Sequence, residues 1–238
     1  MRVSPTRLVV GALTVGGMSL GLLGSPAGAS TSPKQTVKNA IAATESATSL
    51  KIFGSVTQGT QTISLNVSAS TSGVGQGTVG IGTGVATVRL VGGTIYFMGS
   101  TKFWTQQSGK SAAQLFAGKW VKTAATTTNG KSLAQFLNSA NFMKQLFSSN
   151  LNNSKFTKAG TGKVAGKSAV VISGVDSKNK TSGRIYVAKS GTPYILKIAI
   201  DGKGGIGSLT FSNFNQPITP AVPSGAIDLD TLGTQSSG

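Results

Sequence analysis

The sequence predicts an α+β fold in which a few helices cover one face of a curved antiparallel sheet. From Gln61 to Ala69, apolar and small polar residues alternate, and Ile63, Leu65 and Val67 share one side. That period of two is typical of a strand with one apolar and one solvated face. Helical patterns precede the strands and interrupt them once. Helices over the apolar face of a curved sheet would form a container.

The first 29 residues have the pattern of a cleavable export signal. Arg2 and Arg7 form a basic start, Leu8 to Leu23 is apolar, and Ala27-Gly28-Ala29 fits the small-residue rule for cleavage. A retained membrane anchor is the alternative, which the shortness of the apolar stretch disfavours. We therefore expect an exported protein in the periplasm, the cell wall or the extracellular space. The predicted division is a signal peptide at 1–29, one domain at 30–232 and a disordered tail at 233–238.

The composition restricts the chemistry. Cys and His are absent, so disulfides cannot form and zinc, iron–sulfur and blue-copper sites lack their usual ligands. The five acidic residues lie in one helix, near predicted strand ends or in the C-terminal segment, positions that are more typical of surface residues than of a catalytic base. A Ser–Lys dyad remains an alternative. We expect a binding protein rather than an enzyme, with no catalytic residue, no metal and no cofactor.

The formal net charge is +17, carried mostly by lysines that are scattered along the chain. Such a charge serves solubility, or it attracts the protein weakly to an anionic membrane or wall surface. Nucleic acid is not expected as a partner, because the three tyrosines are not interleaved with basic residues in a recognition motif. Both readings of the charge stay open at this point.

The first elements are a helix and five strands. Ser32 can cap the helix, Pro33 suits its first turn, and Gln35 completes a capping box, so a helix to about Ala47 is expected. The glycines from Gly73 onward favour a strongly bent third strand, with close approach of another group as the alternative. The predicted strands are Lys51–Gln58, Gln61–Ala69, Gln76–Thr83, Val85–Val91 and Thr94–Met98.

A helical insert follows, opened by Phe103 and Trp104. We expect a short helix from Ser111 to Ala117, an extended segment around Lys119 to Lys122, and then the longest apolar helix of the chain. The capping box Ser132-x-x-Gln135 would start that helix. Its apolar face comprises Leu133, Phe136, Leu137, Ala140, Met143, Leu146 and Phe147, with Phe142 off this face and free to meet another surface or a ligand.

The strands then resume, and a proline-rich segment closes the fold. Three prolines between Pro217 and Pro223 predict an extended tail that lies over another part of the protein. The predicted strands are Phe156–Val164, Lys167–Val175, Gly183–Lys189, Tyr194–Asp201 and Gly207–Ser212.

In this order of elements the sequence resembles the actinobacterial LppX/LprG lipoprotein family, which has the LolA/RseB-like fold. The residues that carry the resemblance are Gly93-Thr94-Ile95-Tyr96-Phe97, Ala117-Gly118-Lys119-Trp120-Val121, Gly191-Thr192-Pro193-Tyr194-Ile195-Leu196 and the closing Phe214-Asn215-Gln216-Pro217. The resemblance implies a half-barrel of about 10–11 strands wrapped around helices. It also implies an apolar cavity that takes acyl chains of a lipid or glycolipid.

On this resemblance we expect a lipid-binding or lipid-carrier protein of the cell envelope. One feature departs from the family: its members carry an acylated Cys after Leu-x-Gly, whereas Ser25 follows Leu22-Leu23-Gly24 here, so no lipid anchor is expected. The alternative is an RseB-like sensor or structural module that binds an envelope protein. The predicted lining residues are Ile63, Leu65, Val67, Val79, Ile81, Val88, Leu90, Phe97, Phe136, Met143, Phe147, Leu196 and Ile198, for each of which plain core packing is the alternative role.

Overall fold

The structure, a computed structural model, describes residues 31–147, 154–177, 180–202 and 205–232. The predicted signal peptide and C-terminal tail lie outside these ranges. The helices are α1 Pro33–Glu45, α2 Thr101–Ser108, α3 Lys110–Phe116, α4 Thr128–Ala134, α5 Ser139–Phe147 and α6 Leu229–Leu232. The strands are β1 Ser49–Gln58, β2 Gln61–Ser70, β3 Gly75–Ile81, β4 Gly84–Val91, β5 Thr94–Gly99, β6 Val121–Ala124, β7 Lys155–Val164, β8 Lys167–Asp176, β9 Thr181–Ala188, β10 Ile195–Gly202, β11 Ile206–Ser212 and β12 Ile227–Asp228.

All described strands belong to one sheet, in the order β12-β6-β5-β4-β3-β2-β1-β11-β10-β9-β8-β7. Neighbours are antiparallel and mostly sequential, except that β12 pairs with β6 in parallel. Pairing of β1 with β11 joins the two strand runs. The predicted α+β half-barrel is therefore confirmed. The sheet has 12 strands because the short segments β6 and β12 extend one edge.

Inward-facing residues of neighbouring strands stand opposite one another and form rows across the inner face. We call one outer row the covered row; it comprises Leu50, Ala69, Gly75, Leu90 and Ile95, on β1 to β5. The row at the opposite end, the turn-end row, comprises Ile200, Gly207, Val56, Ile63 and Ile81, on β10, β11 and β1 to β3. Two further rows lie between them, centred on Ile52–Val67 and Gly54–Leu65.

Helix α1 lies against the inner face and is fixed there by one buried hydroxyl. Thr44, the only polar residue on its apolar side, is 1% exposed. Its Oγ1 donates to the Ala40 carbonyl at 2.7 Å and accepts from the Ile195 amide of β10 at 2.9 Å. The predicted cap is confirmed, since Ser32 accepts from the Gln35 amide. The reciprocal bond of the capping box, from the Ser32 amide to the Gln35 side chain, is absent among the described residues, and Gln35 Nε2 donates to Asn39.

The long helix predicted from Ser132 to Phe147 is wrong: two helices, α4 and α5, stand in its place. Helix α4 begins earlier, with Thr127 as its cap, and Ser132 lies within its last turns. Helix α4 ends at Ala134, hydrogen-bonded turns continue to Leu137, and the Asn138 Oδ1 accepts from the Asn141 amide at the start of α5. Thr and Asn side chains favour helix starts, a signal that the apolar period obscured.

Two glycines of the strand run permit helices to approach the sheet closely. A Cβ at Gly75 would lie 2.9 Å from the Cβ and the carbonyl oxygen of Leu137, in the connection between α4 and α5. A Cβ at Gly84 would lie 2.5 Å from the Cα of Phe103 in α2. Close approach, the alternative to bending, is thus the reason for glycine at these two positions.

The C-terminal segment, residues 214–232, crosses the outer face of the sheet. Phe214 stacks on Tyr194 with ring centroids 4.1 Å apart. Arg89, which faces outward from β4, donates to the Ala221 carbonyl at 2.7 Å. The segment forms neither helix nor strand through its prolines. Among the described residues, none of the helices is both long and apolar enough to cross a bilayer.

Candidate functional site

Most residues predicted to line a cavity are buried on the inner face or on the helices that cover it. The buried ones are Leu65, Val67, Val79, Val88, Leu90, Phe97, Ile198, Phe136 and Met143, each less than 10% exposed. Ile63, Ile81 and Phe147 are half-buried and pack against the same core. Leu196 is buried as well, but it lies in the bulge between Ile195 and Lys197 and outside the core cluster.

Helices and sheet are in contact across this face, so the predicted lining residues other than Leu196 share a packed core in this structure. Met143 of α5 is 0% exposed and Val67 of β2 is 1% exposed. The lining residues predicted from the sequence did not include other inward residues of the sheet, which can be identified only once the strand pairing is known. These are Leu50, Ile52, Ile95, Ile172, Ile185, Val187, Ile195, Leu209 and Phe211.

An aromatic cluster fills the part of the inner face below α2 and α3. The Trp104 ring lies 5.4 Å from Phe97, 5.7 Å from Phe103 and 5.1 Å from Phe116, measured between centroids. The buried Trp104 Nε1 has no acceptor among the described residues. Phe103 and Trp104 were expected to open a helical insert, and they do so as the inward residues of α2. Phe142, expected to meet another surface or a ligand, is buried beside Phe136.

A solvent-open pocket of about 500 Å3 lies where α4 and α5 meet the edge of the covered row. Its helical wall is polar: Lys131, Gln135, Asn138, Asn141 and Gln145 line it. The Gln135 Nε2 donates to the Ser132 carbonyl, which leaves the amide oxygen as an acceptor. The sequence analysis did not single out this set, because its members are spread over two helices and the connection between them.

The sheet side of the pocket consists of turns and small side chains. Ser72 and Gly73 come from the β2–β3 turn and Gly93 from the β4–β5 turn. Leu90 reaches the pocket from the covered row, so the pocket adjoins the apolar inner face. Ala125 and Ala134 complete the lining. An isolated bridge between Ser70 and Asn138 holds the connection of the helices to β2, next to this turn.

The pocket lining has a positive side chain and no carboxylate. Asp230 lies next to the lining residue Ala125, because it accepts from the Thr123 hydroxyl at 2.6 Å and from the Ala124 amide at 2.9 Å. These two hydrogen bonds, first that of Thr123, hold the pKa of Asp230 below its usual value. On α1, burial raises the pKa of Glu45, an effect that the Lys144 charge partly offsets.

No protein-family model and no curated protein matches the sequence. Among solved structures, LprF from Mycobacterium bovis is similar at 16% sequence identity, over 83% of this chain and 100% of LprF, with a TM-score of 0.55. The Mycobacterium tuberculosis lipoprotein LppX also has 16% identity, over 78% of this chain and 96% of LppX, with a TM-score of 0.50. The chain has the LppX/LprF fold. At this identity the likeness to LppX and LprF concerns the fold alone.

Proposed function

We propose that the protein is an exported, non-catalytic lipid-binding or lipid-carrier protein of the cell envelope. Acyl chains would lie along the rows of the inner face, beneath α1 and α5. The observation that carries the proposal is the turn-end row, where Val56, Ile63, Ile81 and Ile200 stay half-exposed on the inner face. An apolar surface that continues past its covering helices is more typical of a binding site than of a finished core.

The dimensions of the inner face also support this proposal. Six residues separate Leu50 in the covered row from Val56 in the turn-end row. At about 3.3 Å per residue this distance is about 20 Å, comparable to an extended acyl chain of a membrane lipid. On β1 and β2 the inward side chains between them, Ile52, Leu65 and Val67, are aliphatic and buried.

Loading requires movement of the helices, because sheet and helices are in contact without a ligand. The connection from Gln135 to Asn138 separates α4 from α5, so α5 can move away from β2 while α4 keeps its place against β5 and β6. Met143 and Phe147 would then face acyl chain instead of sheet. Methionine side chains adapt readily to such a change of neighbours.

The test is native mass spectrometry of the full chain purified from its own host. We expect adducts with lipid masses that disappear under denaturing conditions, and exchange for a fluorescent fatty acid added to the stripped protein. The bare polypeptide mass, together with no binding of the fatty acid, would contradict the proposal. A stoichiometric envelope protein in place of lipid would favour the sensor or structural module instead.

We further propose that the lysines bring the protein to anionic membranes or wall polymers. Each basic group near an anionic bilayer contributes about 1 kcal/mol at modest salt, and salt screens exposed charges beyond about 10 Å at 0.1 M. We expect weak sedimentation with phosphatidylglycerol vesicles that fades as salt rises, and none with phosphatidylcholine vesicles. Equal sedimentation with both kinds of vesicle would assign the charge to solubility.

A further inference from the structure

The pocket between α4, α5 and the edge of the covered row has the size of a small-molecule site and a largely polar lining. Its volume of about 500 Å3 is within the usual range for such sites. Helical positions supply one cation and several carboxamides, while Gly73 and Gly93 leave open space in front of the turn backbones. Nothing in the acyl-chain proposal requires polar residues here.

The walls of the pocket are held in place by hydrogen bonds that leave ligand-binding groups unused. Asn138 accepts with its Oδ1 from the Asn141 amide, so its Nδ2 remains a donor. Gln135 donates with its Nε2 to Ser132, so its amide oxygen remains an acceptor. The Ala125 amide donates to the Gly93 carbonyl at 2.8 Å and fixes the turn. These bonds are local to each wall and order its binding groups before a ligand arrives.

Carboxamides both donate and accept, which matches hydroxyl groups, and Lys131 is the charged group of the lining. A lining without carboxylates disfavours cations and favours an anion. We propose that this pocket binds a polyhydroxylated group that carries a negative charge, as in a sugar phosphate. Lys131 pairs with the phosphate, and Asn138, Asn141 and Gln135 bind the hydroxyls.

Leu90 connects this inference to the proposed function, on which it rests. It lines the pocket and belongs to the covered row, so a polar group in the pocket lies at one end of the apolar inner face. An anionic glycolipid could therefore place its headgroup in the pocket and its acyl chains along the rows. A free sugar phosphate would use the pocket alone.

In the experiment, the full chain is titrated with glucose 1-phosphate, glucose or inorganic phosphate. Binding is measured by calorimetry and by the NMR signals of the backbone amides of Gly73 and Gly93. We expect glucose 1-phosphate to bind about tenfold more tightly than either of the other two, since a charge-assisted bond adds to the hydroxyl contacts. Vesicles with and without an anionic glycolipid form the second arm. Preference for the glycolipid assigns the site to a headgroup, and binding of the soluble compound alone assigns it to a free sugar phosphate.

Two pairs of variants separate the pocket from the general charge. Lys131→Gln should weaken the binding of glucose 1-phosphate about tenfold and leave the binding of glucose unchanged. Lys110→Gln, an equal loss of charge on α3, should change neither affinity. Asn141→Trp should fill the pocket and abolish binding of both, and Gln114→Trp, on an exposed position of α3, is its control.

Equal binding of inorganic phosphate and glucose 1-phosphate would overturn the proposal, as would equal effects of Lys131→Gln and Lys110→Gln. Fatty-acid binding is measured on the same variants. If it persists while the sugar phosphate fails to bind, the headgroup site is refuted and the acyl-chain proposal stands. If both fail in the folded protein, the proposed function itself is refuted.

Discussion

The two ends of the inner face differ in how the helices meet the sheet. At the covered row, Leu50, Ala69 and Leu90 are 1%, 0% and 5% exposed. At the turn-end row, Ile63 and Ile81 are aliphatic too but only half-buried. The same alternation of residues in β1 to β4 supplies both rows, so strand sequence does not cause the difference. The helices cause it.

Three specific contacts attach helices towards the covered row. Thr44 binds the Ile195 amide, Gly75 admits Leu137 at close range, and Asn138 bridges to Ser70. Towards the turn-end row, α2 is attached as well: the Gln106 side chain donates to the Thr83 hydroxyl, and Gly84, opposite Ile81, admits Phe103 at close range. We therefore expect α2 to keep its place if a lipid enters this protein, while α5 moves away from the sheet.

The largest effect is expected from closing the space at Gly75. In Gly75→Ala the new Cβ would lie 2.9 Å from Leu137 and from the Ser68 carbonyl, so the connection between α4 and α5 must shift. We expect the free energy of unfolding to fall by about 2 to 3 kcal/mol, measured by urea denaturation. Gly162→Ala is the control, since its Cβ would make an ordinary 3.4 Å contact with Tyr186. Equal stability of the two variants would show that the segment at Leu137 can shift at little energetic cost.

Thr44→Val should have the next largest effect. The volume is kept, but the Ile195 amide loses its acceptor in a buried place. A buried donor without a partner costs about 1 to 3 kcal/mol, so we expect a loss of about 1.5 kcal/mol in the free energy of unfolding and faster amide exchange at Ile195. Thr36→Val, which removes only a bond to the Ser32 carbonyl within the helix, is the control. An unchanged exchange rate would mean that α1 is not fixed through this hydroxyl.

The sequence predicted the strands closely because period-two alternation and short glycine turns are local signals. Even the buried Thr44 could be identified as an exception on its apolar helix face. The pocket could not be predicted, since it depends on the break between α4 and α5, and the apolar spacing from Leu133 to Phe147 conceals that break. Leu196 shows the same limit, because a bulge in β10 takes it out of the alternation on which its prediction rested.

A lysine in the turn-end row would show whether acyl chains reach that end. Ile63→Lys places a charge on the half-buried part of the inner face. Loss of the apolar contact should weaken the binding of a fluorescent fatty acid about tenfold. Phe53→Lys is the matched control, because Phe53 is 56% exposed on the outer face of the neighbouring strand. Equal affinities of the two variants for the fatty acid would mean that acyl chains do not bind at the turn-end row.

The smallest effect concerns the sheet edge beside the covered row, where Asp230 binds Thr123 and Ala124. Because its pKa is lowered in the folded protein, its contribution is present above the ordinary carboxyl pKa of about 4 and is lost as the pH falls through the lowered value. Asp230→Asn should therefore speed amide exchange at Ala124 less than about fivefold at neutral pH, since an exposed carboxylate contributes little.

The difference between wild type and Asp230→Asn should disappear once the pH is well below about 4, where both side chains are neutral. Asp201→Asn, at an exposed carboxylate on β10, should leave the Ala124 exchange unchanged at every pH. A difference that persisted in acid would mean that the shape of the side chain, and not its charge, holds the C-terminal segment to β6.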